Sequence, residues 1–151
     1  MSEPAITASK PASPGTSQRE IDIDNTAWLK TVVAEHGWPG NTLVGDQGAD
    51  DAWLLIQHAD RDPEFQQQAL ELLKAAVEAD DALARHLAYL TDRVLVAHGR
   101  PQLYGTQYTE EDNRLQPQPV RDPEQLDARR AAMGLDSAAA YDHRMQKTYL
   151  S

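Results

Sequence analysis

Cysteine is absent from the chain and phenylalanine occurs once in its 151 residues. Without thiols, disulfide bridges, thiolate metal sites and a cysteine nucleophile are all excluded. The few serines lie mostly near the start, and no Gly-x-Ser-x-Gly elbow occurs, so serine hydrolysis is not expected. Cations are also in short supply, with 14 Lys and Arg against 24 Asp and Glu and a formal net charge of -10. A protein that grips a phosphate backbone needs clustered Lys and Arg, so nucleic acid is not an expected partner. No apolar run approaches the roughly 18 residues of a membrane-spanning helix, and the basic start and apolar stretch of a signal peptide are missing. The expectation is a soluble cytoplasmic protein without a membrane partner.

What is present is leucine and alanine at helical spacing. Valine and isoleucine are sparse and alternating polar/apolar runs are not found, which predicts an all-α body, a single compact bundle of five to six helices with one long ordered loop. Residues 1–18, MSEPAITASKPASPGTSQ, are small, polar and dotted with proline. They read as a disordered tail, with residues 19–151 forming one helical domain. The first helix is expected to start at Asp24 or Asn25 and to end at Gly37, with Trp28, Leu29, Val32 and Val33 as its apolar stripe. A loop then leads to a second helix from about Ala49 to Ala59. The third runs from Pro63 to about Ala79, the fourth from about Asp81 to His98, the fifth from Pro123 to near Gly134, and the sixth from about Ser137 to Tyr149. Asp62 and Asp122 both precede Pro-Glu. An aspartate there accepts from free first-turn amides, while proline at the first helical position loses no hydrogen bond, so both read as caps.

Several polar residues resist such local explanations. Asp60 falls at the C-terminal end of the second helix, where the macrodipole disfavours a negative charge by about 0.3–1 kcal/mol. It calls for a cation, with Arg61 as the nearby choice and Arg93 as the more informative one. His58 suits a helix C-terminus when protonated, and histidine is equally the usual general acid/base. Trp53, Gln57 and Asp60 line one stripe of the second helix, so Gln57 borders the presumed core face. In the fourth helix, Thr91, Asp92 and Arg93 interrupt an apolar segment. Successive helical residues point about 100° apart, so Asp92 and Arg93 need different partners. The long loop carries QLYGTQY, in which Gln102, Tyr104, Thr106 and Gln107 offer neutral hydrogen-bonding groups and Gly105 permits a tight turn. It reads either as a lid over a ligand or as a strap across the core.

These segments also carry a resemblance. GWP at 37–39, Val44-Gly45, Trp53-Leu-Leu-Ile-Gln-His-Ala-Asp60 with Asp62-Pro-Glu-Phe-Gln66, Tyr89-Leu-Thr-Asp-Arg-Val94 and Gln102-Leu-Tyr-Gly-Thr-Gln107 occur in this order. Together they resemble a widespread bacterial family of helical proteins classed as a domain of unknown function. The resemblance covers roughly residues 25 to 135 and implies a helical fold and a grouping of these polar residues, without a reaction.

The chemistry on offer is narrow. The paired Glu-x-x-His of di-iron bundles and His-Glu-x-x-His are both absent, and no glycine-rich phosphate loop follows a strand. His58 and Asp60 with Asp92 or His86 are the residues from which one ion site could be assembled, but each has a simpler explanation; neither metal nor cofactor is expected. A polar pocket between the second and fourth helices is therefore the favoured site for binding or converting a small molecule. His58 would be its acid/base, Asp60 or Asp92 the orienter or second base, and Arg93 the anchor for an anion. Gln57, Gln102, Tyr104 and Gln107 would read the ligand. The competing reading is an acidic interaction module, inhibitor- or immunity-like, that docks a basic protein partner.

Overall fold

The computed structural model describes residues 17–150. The expected disordered segment lies outside the described residues, except that Ser17 and Gln18 cap and open the first helix. The described chain is predominantly α-helical, in the order α1 (Gln18–His36), α2 (Asn41–Gln57), α3 (Pro63–Glu78), α4 (Ala84–Ala97), β1 (Tyr108–Glu111), β2 (Arg114–Pro117), α5 (Leu126–Ala132) and α6 (Ala138–Leu150). It divides into two compact units, one ending at Leu83 and the other beginning at Ala84.

In the first unit α1 starts about six residues earlier than its apolar stripe predicts. The Ser17 side chain accepts the Glu20 amide at 3.2 Å, so Ser-Gln-Arg-Glu supplies the cap and the acidic first turn. Gly37 closes the helix with φ 76°, its N–H reaching the Val33 carbonyl.

α2 likewise starts earlier than expected, at Asn41, because a distant side chain supplies its cap. Asp81 accepts the amide and the hydroxyl of Thr42, both at 2.7 Å, on one carboxylate oxygen, and its carbonyl accepts the Asn41 amide at 2.8 Å. A Cβ at Gly40 would lie 2.7 Å from that carbonyl oxygen and closer still to the carboxylate, so only glycine fits. Gly45 (φ 74°, ψ 171°) breaks the helical path after the first turn. α3 opens as predicted: Asp62 accepts the Phe65 amide at 3.2 Å and Pro63 follows it. Leu29, Ile56, Ala69 and Leu73 are sealed from solvent to 1% or less and form the centre of this unit's core with Ala52, Ala59 and Phe65. Full burial of each large aliphatic side chain is worth roughly 1.5–3 kcal/mol.

In the second unit the predominantly helical fold also carries one small two-stranded sheet. The long connection after α4 folds into an antiparallel hairpin in which Tyr108 pairs with Pro117 and Glu111 with Arg114. Its two-residue turn, Asp112-Asn113, has φ of 52° and 61°, the backbone that a tight hairpin requires and that Asp and Asn tolerate. Gln102 forms a parallel bridge to Val120, which closes the connection on itself. Asp122 is not the predicted side-chain cap. It adopts a left-handed backbone (φ 42°) and makes no capping bond, and Pro123–Gln125 form a single 3₁₀ turn before α5.

Candidate functional site

In the first unit the end of α2 and the start of α3 meet in a tight corner. The His58 N–H binds the Leu54 and Leu55 carbonyls, and the Asp62 N–H binds that of Ala59. Gln66, 2% exposed, reaches back across this corner, its amide donating to the Ile56 carbonyl at 3.0 Å and to Asp60 Oδ1 at 3.2 Å. That bond gives the misfit carboxylate at the helix end a donor. Gln57 is 6% exposed, and its Nε2 is the buried side-chain atom that finds no hydrogen-bond partner among the described residues.

Beside this corner runs a half-open groove of about 510 Å³. Asp22, Ile23, Thr26, Ala27 and Lys30 of α1 form one wall, and His58, Ala59, Arg61 and Asp62 form the other. Lys30 and Asp62 pair directly, and the Lys30 ammonium also sits 5.5 Å from the centre of the Phe65 ring. The hydrogen bond from Lys30 is the main reason the Asp62 carboxyl is held below its ordinary pKa. Asp62 therefore spends one oxygen on its helix and the other on Lys30, while Asp22 accepts from Gln18 at 2.8 Å. His58 and Arg61 are exposed and their side chains make no hydrogen bond or ion pair among the described residues.

In the second unit QLYGTQ is a fastened element. Asp92, fully buried on α4, accepts the amides of Leu103 (2.9 Å), Tyr104 (3.0 Å) and Thr106 (2.9 Å) and the Thr106 hydroxyl (2.7 Å). The carbonyls of the same stretch are met by cations and a phenol. Arg129 Nε donates to Leu103 at 2.6 Å, Arg130 Nη1 to Tyr104 at 2.7 Å, and the Tyr141 hydroxyl to Thr106 at 2.9 Å. Gln102 bonds Gln107 reciprocally: its Nε2 donates to the Gln107 carbonyl at 3.0 Å and its Oε1 accepts the Gln107 amide at 2.9 Å. The Gln107 side-chain amide turns to the Thr106 hydroxyl at 3.0 Å. Buried backbone groups need such partners, and here side chains provide what a helix or sheet ladder otherwise would.

Arg130 is the second anchor. Fully buried, it lies 4.8 Å from the centre of the Tyr141 ring and donates to the Asp136 carbonyl at 2.7 Å. Tyr89 and Tyr108 pack edge-on against Tyr141, with centroids 6.3 and 5.7 Å away, and the Tyr108 hydroxyl binds Asp142 at 2.7 Å. Burial is the main cause that raises the phenols of Tyr104, Tyr108 and Tyr141 above their ordinary range.

Of the residues singled out in the sequence, Gln57, His58 and Asp60 thus share the α2–α3 corner. Asp92, Gln102, Tyr104 and Gln107 share the fastened loop, and Arg93 is half-buried on α4 of the same unit. The residues that hold the loop from the other side, Arg129, Arg130 and Tyr141, carried no signal in one sequence, since isolated arginines on short helices ordinarily face water. Lys30 was equally hidden in α1. Among the described residues no cluster of His, Cys, Asp and Glu could hold a metal ion, and no helix is long and apolar enough to cross a membrane.

No curated protein and no solved structure matches this chain. A family model does, over residues 4–150, nearly the whole sequence: the chain belongs to DUF6624, a family of unknown function.

Proposed function

We propose that this protein binds a small molecule in the groove between α1 and the α2–α3 corner, with His58 as the residue that reads it. The groove carries the reading. At about 510 Å³ it lies within the range of ligand pockets, roughly 300–1,000 Å³, and it combines apolar Ile23, Ala27 and Ala59 with a few converging polar groups. His58 is the candidate acid/base of the sequence that opens into this space. Gln66 and Asp60 brace the corner beneath it. In this reading Asp92 and Gln102 are positioning residues, because the hydrogen bonds of their side chains go to the loop.

The test is a ligand screen read by NMR on the labelled full chain, with a His58→Ala variant alongside. Compounds that bind should shift the His58 ring and the Ala27 and Ala59 amides, and His58→Ala should weaken them tenfold or more at unchanged melting temperature. A screen whose hits leave those signals still and bind the variant equally well would overturn the proposal. Saturable capture of basic proteins that fades with salt would favour docking by the acidic surface instead.

A further inference from the structure

The groove's charges go further than its volume. Resting on the binding role proposed above, we infer that its ligand is a small monoanion, a carboxylate joined to a short apolar body, and that Arg61 is the residue that selects it.

Several exposed cations make no ion pair among the described residues, Lys74, Arg85 and Arg114 for example, but Arg61 is set apart by lining the groove. Lys30, on the opposite wall, is paired with Asp62. Asp62 is thereby engaged by the Phe65 amide and by Lys30, and Arg61, next to it in sequence, makes no hydrogen bond or ion pair among the described residues. A guanidinium has a planar fork of donors that fits the two oxygens of a carboxylate. His58 lies three residues before it on the same wall and adds a donor when protonated.

The opposing groups set the charge of the ligand. Asp22 and Asp62 belong to the same lining. Asp62 is neutralised by Lys30, whereas the bond that Asp22 accepts among the described residues comes from the neutral Gln18 amide, at 2.8 Å. A dianion such as phosphate would meet that carboxylate with twice the repulsion of a monoanion. Ile23, 47% exposed, together with Ala27 and Ala59 gives the groove an apolar side on which a hydrocarbon body can be buried.

The probes are hexanoate and phenylacetate, compared with hexanamide, hexylamine and inorganic phosphate, titrated into the full chain and followed by the Arg61 side-chain and Ala59 amide NMR signals. The carboxylates should shift both signals and saturate, with the amide, the amine and phosphate at least tenfold weaker. Arg61→Gln should weaken the carboxylates tenfold or more and leave the amide unchanged, while Arg61→Lys should recover part of the loss. Equal binding of acid and amide, or binding of the carboxylates that Arg61→Gln does not weaken, would overturn the inference while leaving the groove as a binding site. Absence of any response at the groove to all five probes would overturn the inference too, and the broader screen of the preceding section then decides separately whether the groove binds anything.

Discussion

The Asp92 carboxylate takes both the backbone amide of Thr106, at 2.9 Å, and the hydroxyl of the same residue, at 2.7 Å, on a single oxygen. Its other oxygen takes the amides of Leu103 and Tyr104. A carboxylate from a helix thus fills a nest of backbone donors, and in doing so allows a polar loop to be buried. Without it three amides would lose their acceptor at once.

Asp92→Ala is therefore expected to destabilise the protein by about 3–5 kcal/mol, since hydrogen bonds to a charged group are worth ~1.5–3 kcal/mol and each orphaned donor adds a penalty. Asp92→Asn should also be severe, because one acceptor oxygen becomes an NH₂ group facing N–H donors. Urea denaturation checks both, and a loss below about 1 kcal/mol for either would contradict this account of the loop.

Gln57 should behave in the opposite way. Its buried Nε2 has no partner among the described residues, and an unmet buried donor costs on the order of 1–3 kcal/mol. Gln57→Met, of similar length and without the donor, is expected to raise stability by about 1 kcal/mol, seen as a melting temperature higher by a few degrees. Destabilisation by this change would mean the amide is satisfied.

Gly40→Ala tests the close approach at the start of α2. The added methyl group would collide with Asp81, whose side chain and carbonyl both serve as that helix's cap. The expected cost is on the order of 2–3 kcal/mol, from overpacking and loss of the cap together. Gly40→Ala in an Asp81→Ala background should cost less than in the wild type, because the clash with the carboxylate is then gone and only that with the carbonyl remains.

Asp62 sets an acid limit for the first unit. Lys30 holds its folded pKa below the ordinary 3.8, so as pH falls toward and through 3.8 the unfolded state takes up a proton that the folded state does not yet bind. The stabilisation is then complete above about pH 5 and disappears as pH falls through 3.8 toward the folded value. Lys30→Met removes the principal cause and should flatten stability against pH in that range. Asp136 is also depressed, by Arg144 first, and should keep its own slope in the variant. Denaturation midpoints at pH 3, 4, 5 and 7 report the difference, and parallel curves for the two proteins would refute the coupling.

Much of the local structure was written in local chemistry. The Asp62-Pro63 start of α3 and the Gly37 end of α1 sit where capping rules place them, because those rules concern atoms within one helical turn. The Ser17 start of α1 obeys the same rules, yet the weak apolar stripe over residues 18–24 concealed it. The hairpin at 108–117 was hidden for a different reason. Strands of four residues are too short to display alternation, and its only mark is the Asp112-Asn113 turn.

The candidate site divides in the same manner. By itself the sequence determined that the body is helical, acidic and free of thiol chemistry, and that Gln57, His58, Asp60, Asp92 and the QLYGTQ loop are unusual for their positions. Only the tertiary structure decided what those residues meet. Asp92 finds backbone amides eleven to fourteen residues away, Arg130 finds the Tyr104 carbonyl 26 residues away, and Lys30 finds Asp62 across α1 and α3. Capping and turn formation are local and can be read along the chain. The partner of a buried charge is whichever group packing brings within about 3 Å, and no spacing rule along the sequence specifies it.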